Sequence, residues 1–284
     1  MTHRVFIDGE VGTTGLQIRN RLAARTDLVV ASLPEDRRKD PAARAEMINS
    51  VDAVILCLPD EASREAVAMI QNDQVRVIDA STAFRTAPGW TYGFPEMSAG
   101  QRLAVASSKR VSNPGCFPTG FIALVRPLIE AGLVPADWPV TVSAVSGYSG
   151  GGKPMIAEFE DESSDSYTSE PYRIYATGLE HKHVPEMQLH TGLTGRPLFA
   201  PSVGRYAQGM IVEVPLQLWA MPTLPQVSQL HEVLSLAYAG SRFVDVASLA
   251  ESASIKTLNP EGLNGTNRLK LFVFGNESAG QARS

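Results

Sequence analysis

Cysteine is scarce in this 284-residue chain, which carries Cys57 and Cys116 and no other. Two thiols cannot build the disulfide framework of a small secreted domain, and neither lies in a Cys/His cluster with zinc-ligand spacing. Any cysteine chemistry therefore belongs to an individual residue, and no metal is expected. Positive charge is also short, with 25 Lys and Arg against 30 Asp and Glu for a net charge of −5. The local basic run Arg37-Arg38-Lys39 is too brief for a polyanion groove, which excludes a nucleic-acid partner and leaves a small molecule as the expected one. Long apolar runs are missing as well: none reaches the ~18 residues that span a bilayer, and Met1-Thr2-His3-Arg4 leads straight into a strand-like segment. No membrane partner is expected, and a cytoplasmic location follows by elimination. What remains is 44% hydrophobic and 19% charged residues, enough to bury the core of one large domain or two ordinary ones.

The first part of the chain alternates two periods. Arg4 to Asp8 is a short apolar run ending at Gly9, and Thr13 to Arg25 has helical spacing at Leu16, Ile18 and Leu22. Leu28 to Leu33, Ala53 to Leu58 and Val75 to Asp79 read as strands, with helices at Pro41 to Asn49 and Asp60 to Gln71 between them. Such alternation predicts a Rossmann-type, doubly wound parallel sheet. Beyond Ser81 a loop with Pro88, Gly89, Gly93 and Pro95 interrupts the pattern, and strands are expected at Leu103 to Ala106 and Arg110 to Ser112. A helix follows over Phe117 to Gly132. Strands at Val140 to Val145, Met210 to Val214 and Leu269 to Phe274 then suggest a second α+β domain with a mixed or antiparallel sheet. The predicted boundary separates a dinucleotide-binding domain, residues 1–115, from a catalytic, substrate and oligomerisation domain, residues 116–284.

Gly9, Gly12 and Gly15 follow a strand and open a helix, where backbone amides and the positive helix end can hold a pyrophosphate. Their spacing is Gly-x-x-Gly-x-x-Gly, so a plain tight turn is the competing reading. The mononucleotide-binding half that follows favours a cofactor. After the second strand, Ser32, Arg37 and Arg38 can meet a 2′-phosphate and so favour NADP. Glu35 lies about 20 residues past the glycines, where the ribose carboxylate of an NAD site is expected, and argues the other way.

Ser112-Asn113-Pro114-Gly115-Cys116-Phe117-Pro118-Thr119 sets a cysteine at the junction of a turn and a helix. Unpaired amides and the helix dipole favour thiolate over thiol at such a place, and Pro118 is tolerated because first-turn amides need no helical partner. Cys57, inside the apolar run Ala-Val-Ile-Leu-Cys-Leu, reads as a buried strand residue without chemistry.

Asn113-Pro114-Gly115-Cys116-Phe117-Pro118-Thr119 closely resembles the active-site signature of the N-acetyl-gamma-glutamyl-phosphate reductases, relatives of the aspartate-semialdehyde dehydrogenases. The resemblance extends in order through Gly9 to Gly15, Asp79 to Arg85, Gly93-Phe94-Pro95-Glu96, Ser146 to Lys153 and His181-Lys182-His183-Val184-Pro185-Glu186. Asp8 to Gly15 and the chain's brevity point to the shorter bacterial form. The resemblance implies NADP-dependent reduction of an acyl phosphate to a semialdehyde through a thioester on Cys116, in arginine biosynthesis, by a homo-oligomer, tetramer or dimer. It adds Thr13, Thr14, Ser81, Ser149 and Gly150 to the cofactor-binding set. It also implies a further strand and a long helix past residue 283 that return to the cofactor domain, so weaker cofactor binding is an expectation for a sequence ending at Ser284.

Breakdown of a thiohemiacetal needs a proton carrier near neutral pH, for which histidine is suited. His181 is the choice, with His183 as a substrate contact, although the sequence leaves open which ring moves the proton. Arg85 and Lys153 are candidate cations for the acyl phosphate, and Arg85 reads equally well as a surface arginine. Asn113 can orient the thiol loop, Ser146 opens a glycine-rich turn for nicotinamide or substrate, and Glu186 and Arg205 complete the substrate set. Competing expectations are another acyl-phosphate reductase, acting on an aspartyl or aminoadipyl substrate, and an NADP-binding sensor with little turnover.

Overall fold

A computed structural model describes residues 2–284, which form two compact units: one up to Pro95 plus Gly100–Pro114, the other Glu96–Ala99 plus Gly115–Ser284.

In the first unit the predicted alternation appears as β1 (His3–Asp8), α1 (Thr13–Leu22), β2 (Leu28–Ala31), α2 (Pro41–Ser50), β3 (Ala53–Leu56), α3 (Asp60–Ala68), β4 (Arg76–Asp79), β5 (Thr91–Tyr92), α4 (Gln101–Ser107) and β6 (Arg110–Ser112). The strands form one six-stranded sheet in the order β2-β1-β3-β4-β6-β5, and every pairing is parallel. Phe6, Ile48, Val54, Leu56, Val75 and Val77 are buried in its core, as the near-continuous apolar strands require when helices cover a sheet. Strand order reverses at β1, whose neighbours are β2 and β3, so the carboxyl ends of β1 and β3 flank the crevice where ligands of open α/β sheets bind. The strand expected at 103–106 is instead α4. Gln, Arg, Leu and Ala are all strong helix formers, and Leu103 stays 74% exposed, so the short apolar run has no buried sheet face to favour the extended form.

The second unit begins with α5 (Cys116–Glu130) and continues through β7 (Thr141–Gly147), α6 (Gly152–Glu160), β8 (Tyr172–Ile174), α7 (Val184–Thr191), β9 (Leu198–Gly204), β10 (Met210–Glu213), β11 (Pro215–Gln217), α8 (Val227–Ala237), β12 (Val244–Val246), α9 (Leu249–Ser254), β13 (Leu269–Leu271), β14 (Phe274–Asn276) and β15 (Gln281–Arg283). Its main sheet runs β10-β7-β9-β8, with β7 and β9 parallel and both outer pairings antiparallel. That is the expected mixed sheet. The single strand expected at 269–274 is two, β13 in a parallel pair with β12 and β14 in an antiparallel sheet with β15. Apolar character alone does not reveal a change of sheet partner.

Helix α5 is the buried spine of this unit: Phe117, Phe121, Ile122, Ala123, Leu124, Val125 and Leu128 are all at most 3% exposed. Pro127 inside it has no N–H for the Ala123 carbonyl four residues back. The hydroxyl of Tyr238, the residue just past α8, donates to that carbonyl at 2.8 Å, so no buried acceptor is orphaned and the helix runs on. A buried α5 gives its first residue a fixed position.

Candidate active site

The expected site residues form two clusters, one in each unit. In the first, β1 ends at Asp8 and the chain turns at Gly9 with φ +89°. A Cβ on Gly9 would lie 2.4 Å from the Cys57 carbonyl oxygen, and one on Gly15 would lie 2.3 Å from the Gly9 oxygen. The turn is therefore pressed against the ends of β1 and β3 so closely that only glycine fits. Gly12 precedes α1, whose first turn has no side-chain cap, leaving its amides and positive end for an anion. The predicted cofactor turn is thus a cradle suited to a pyrophosphate, with Thr13 and Thr14 at the helix start. Of the residues expected at a 2′-phosphate, Ser32 and Arg38 come together: the Ser32 hydroxyl donates to Glu10 Oε2 at 3.0 Å, and Arg38 Nε lies 3.4 Å from Glu10 Oε1. Arg37 instead faces Asp40 at 3.8 Å.

In the second unit, Cys116 is the first residue of α5 and is exposed. The preceding Gly115 donates its amide to Glu186 Oε2 at 3.0 Å, and Glu186 is only 1% exposed. A buried carboxylate on α7 thus ties down the start of α5, and Gly115 in turn accepts from the Thr119 hydroxyl at 2.9 Å. Around this helix start the rings form a chain. Phe117 meets His183 at 6.0 Å and Phe199 at 5.3 Å between centroids, His181 meets His183 at 4.6 Å and Phe199 at 5.1 Å, and Tyr175 meets His181 at 5.7 Å.

His181 Nδ1 accepts the His183 backbone N–H at 3.1 Å, so the neutral ring carries its proton on Nε2. Burial, and then the charge of Lys182, hold this imidazole below the usual histidine range, which keeps it neutral in neutral solution. Tyr175 is pushed up to about 12 by burial and then by the charge of Cys116, so its hydroxyl stays protonated within electrostatic reach of the sulfur. The other cysteine is the opposite case. Burial, then the charges of Asp79 and Asp8, push the Cys57 thiol up to about 11, leaving it protonated and inert.

Residues 116–283 match the family described as semialdehyde dehydrogenase, dimerisation domain, and residues 35–104 match semialdehyde dehydrogenase, NAD binding domain. The chain is 53% identical over 277 residues to the N-acetyl-gamma-glutamyl-phosphate reductase of Burkholderia lata, covering 98% of this chain and 87% of the relative. It is 53% identical over 282 residues to the enzyme of that name from Brucella anthropi, covering 99% and 91%. The chain belongs to the semialdehyde dehydrogenases, in their N-acetyl-gamma-glutamyl-phosphate reductase branch. Its fold is that of the aspartate semialdehyde dehydrogenase of Francisella tularensis, with a TM-score of 0.69 at 14% identity over 100% of this chain and 94% of the other. The Candida albicans enzyme, solved with NADP, has a TM-score of 0.63 at 11% identity over 100% and 92%. As a member of this family the protein is an oxidoreductase with a nicotinamide cofactor, and its second unit is of the dimerisation type.

The other expected site residues of this semialdehyde dehydrogenase lie in the loops around these two clusters. Arg85 is buried, donating to the Asn113 carbonyl at 2.9 Å and the Ala80 carbonyl at 3.2 Å, so its guanidinium braces the loop that leads to the cysteine. Ser81 donates to Asp79 Oδ2 at 2.6 Å, and Ser63 to Oδ1 at 2.7 Å. Burial nevertheless raises the Asp79 carboxyl. Asn113 donates its amide to the Asp79 carbonyl at 2.7 Å, linking that buried group to the thiol loop. Arg205 donates to the carbonyls of Thr168 and Phe159 and to the Tyr167 hydroxyl and lies over the Phe159 and Tyr167 rings. Ser146, Ser149 and Gly150 sit where β7 passes into α6, and Lys153 is exposed in the first turn of that helix.

Glu10, Arg19 and Tyr175 were not singled out from sequence. A carboxylate inside a glycine-rich anion turn was a legible anomaly for Glu10. Tyr175 carries no local signal, because its packing on His181 arises only when β8 pairs with β9.

Proposed function

We propose that this protein reduces N-acetyl-5-glutamyl phosphate to N-acetylglutamate 5-semialdehyde and inorganic phosphate with NADPH, through a thioester on Cys116, as a homo-oligomer in arginine biosynthesis. The observation that carries the reading is an exposed thiol on the first residue of a buried helix, whose next residue, Phe117, packs on the ring chain that holds the neutral His181. The Cys116 sulfur attacks the acyl carbon; the S–C bond forms as the C–O bond to phosphate breaks, and phosphate leaves with the electron pair. The bound nicotinamide supplies the hydride that takes the thioester carbon to the aldehyde level. First-turn amides of α5 and the His181 Nε2–H are the donors for the oxygen on which negative charge builds. The neutral His181 steadies that oxygen by donation from Nε2–H until it re-forms the carbonyl as the S–C bond breaks, and the Tyr175 hydroxyl supports the departing sulfur. Glu186, through Gly115, keeps the sulfur on station. Ser32 and Arg38 support NADP over NAD.

The test is phosphate-dependent NADP reduction with N-acetylglutamate semialdehyde, run beside aspartate semialdehyde. Turnover should favour the acetylated substrate and fall at least about 10³-fold in Cys116→Ala with cofactor binding retained. Preference for the aspartate compound, or turnover surviving in Cys116→Ala, would sink the reading.

A further inference from the structure

Glu10 is the least expected residue of the cofactor cradle. It stands between Gly9 and Gly12, where an anionic ligand is to be bound, yet its carboxylate is itself buried, with 6% of the side chain exposed. Three cationic or hydroxylic groups converge on it. Arg19, from α1, donates Nη1 to Oε2, and the Ser32 hydroxyl donates to the same oxygen at 3.0 Å. Arg38 Nε approaches Oε1 at 3.4 Å, an oxygen that otherwise has no hydrogen-bond partner. Arg19 Nη1 also donates to Ser32 Oγ at 3.1 Å, which closes the network. The two guanidiniums are the outer layer, with side chains 48% and 35% exposed against the 6% of Glu10.

Without the carboxylate, two arginines brought together at one point repel each other, and each long side chain regains its rotamers in water. With it they are fixed side by side at a net charge of +1. Ser32, the residue next after β2, lies where the adenosine ribose is read in a sheet of this kind. A ligand arriving from solvent meets the guanidiniums first, each with unused donors in a planar fork suited to phosphate oxygens.

We propose that Glu10 is a positioning residue for cofactor choice: it holds Arg19 and Arg38 as a clamp that, with Ser32, receives the 2′-phosphate, Arg19 being a phosphate contact in its own right. The proposal rests on the NADP reading above. It adds what makes a pair of arginines into a preformed site.

The experiment is calorimetric binding of 2′,5′-ADP and of 5′-AMP to the full chain and to Glu10→Gln, Arg19→Gln and the double variant, with thermal unfolding of each protein alone. Glu10→Gln should weaken 2′,5′-ADP about tenfold and leave 5′-AMP unchanged, because two guanidiniums must then be ordered at the expense of ligand binding. Arg19→Gln should weaken 2′,5′-ADP at least as much, and the double variant should be no weaker than Arg19→Gln alone, since the two act as one unit. Unchanged or tighter 2′,5′-ADP binding in Glu10→Gln would overturn the proposal, marking the carboxylate as a repelling charge. Equal weakening of both ligands would also overturn it, marking Glu10 as a mere builder of the turn. Should Glu10→Gln fail to fold, Arg19→Gln decides: 2′,5′-ADP affinity equal to that of the unaltered chain rejects the clamp. If the unaltered chain does not favour 2′,5′-ADP over 5′-AMP, the NADP reading falls and the clamp with it. If it does and the variants keep that ratio, the clamp alone falls.

Discussion

Helices α1 and α5 both start after a glycine, Gly12 and Gly115, and neither receives a side-chain cap. By contrast α2 and α9 are capped by Asp40 and Ser248. The two uncapped ends share a backbone device and use it in opposite ways. At α1 the site depends on side chains being absent: a Cβ on Gly9 or Gly15 would overlap backbone atoms at 2.4 and 2.3 Å, and among the residues of α1 only Gly15 is buried. At α5 it depends on side chains being brought in. Ten of the helix residues are buried, Glu186 holds the amide before the cysteine, and Phe199 of β9 and His183, just before α7, pack on the next residue, Phe117. A helix terminus is thus only a local source of positive potential, and the residues supplied to it decide whether it holds an anion or activates a nucleophile.

The largest effect that sharpens this contrast is expected from His181→Asn, which removes an imidazole while leaving the glycine turn intact. Turnover should fall about 10²- to 10³-fold with cofactor affinity unchanged. The pH profile should change with it. Because burial lowers the His181 value from 6.5, the neutral ring predominates at and above that pH, and activity is lost as pH falls below it. That acid limb should vanish in the variant. The same shift makes folding stability carried by the neutral ring present above 6.5 and lost as pH falls through the depressed value, since the unfolded chain then binds more protons. If His183→Asn removes the acid limb instead, the roles of the two rings are exchanged.

Gly15→Ala comes next and probes the other helix. Its Cβ would meet the Gly9 oxygen and the Glu10 backbone, so the turn must open, at a cost of about 2–4 kcal/mol in stability and a rise of about 10²-fold in cofactor dissociation constant. Alkylation of Cys116 by iodoacetamide should keep its rate in the folded variant. A matching loss of thiol reactivity would break the distinction between a backbone-built and a side-chain-built site.

The smallest effect is expected from Tyr175→Phe. The phenol is held protonated, at about 12, so its loss removes one hydrogen-bond donor and no titrating group. A fall of about 3- to 10-fold in kcat should leave the pH profile in place. A displaced profile would mean that Tyr175 sets the ionisation of Cys116.

Much of this protein was legible in one dimension because its signals are local. The parallel sheet follows from strand and helix periods alternating over short windows, and the cofactor turn from three glycines between a strand and a helix. Cys116 was separable from Cys57 because one opens a helix and the other belongs to an apolar run, although the fold places Cys57 one residue past β3 and only half-buried. The misread segment at 103–106 shows where locality ends: four residues with two apolar side chains are compatible with either period, and the missing sheet neighbour decides. Arg85 and Arg205 show the same boundary for function. Both read as phosphate-binding cations by residue type, and only the fold shows which backbone carbonyls of neighbouring loops they also donate to.

By itself, then, the sequence determined the fold class, the two helix starts, the cysteine that opens one of them and the family. Each is encoded in residues close together along the chain, where backbone conformation and side-chain period act directly. Tertiary structure alone decided which nitrogen of His181 bears the proton, that Tyr175 packs on His181, that Glu186 anchors Gly115, and that Glu10 gathers Arg19, Ser32 and Arg38. These are contacts between residues 2 to 71 positions apart, and their energies come from burial and charge that exist only once the chain has closed around them.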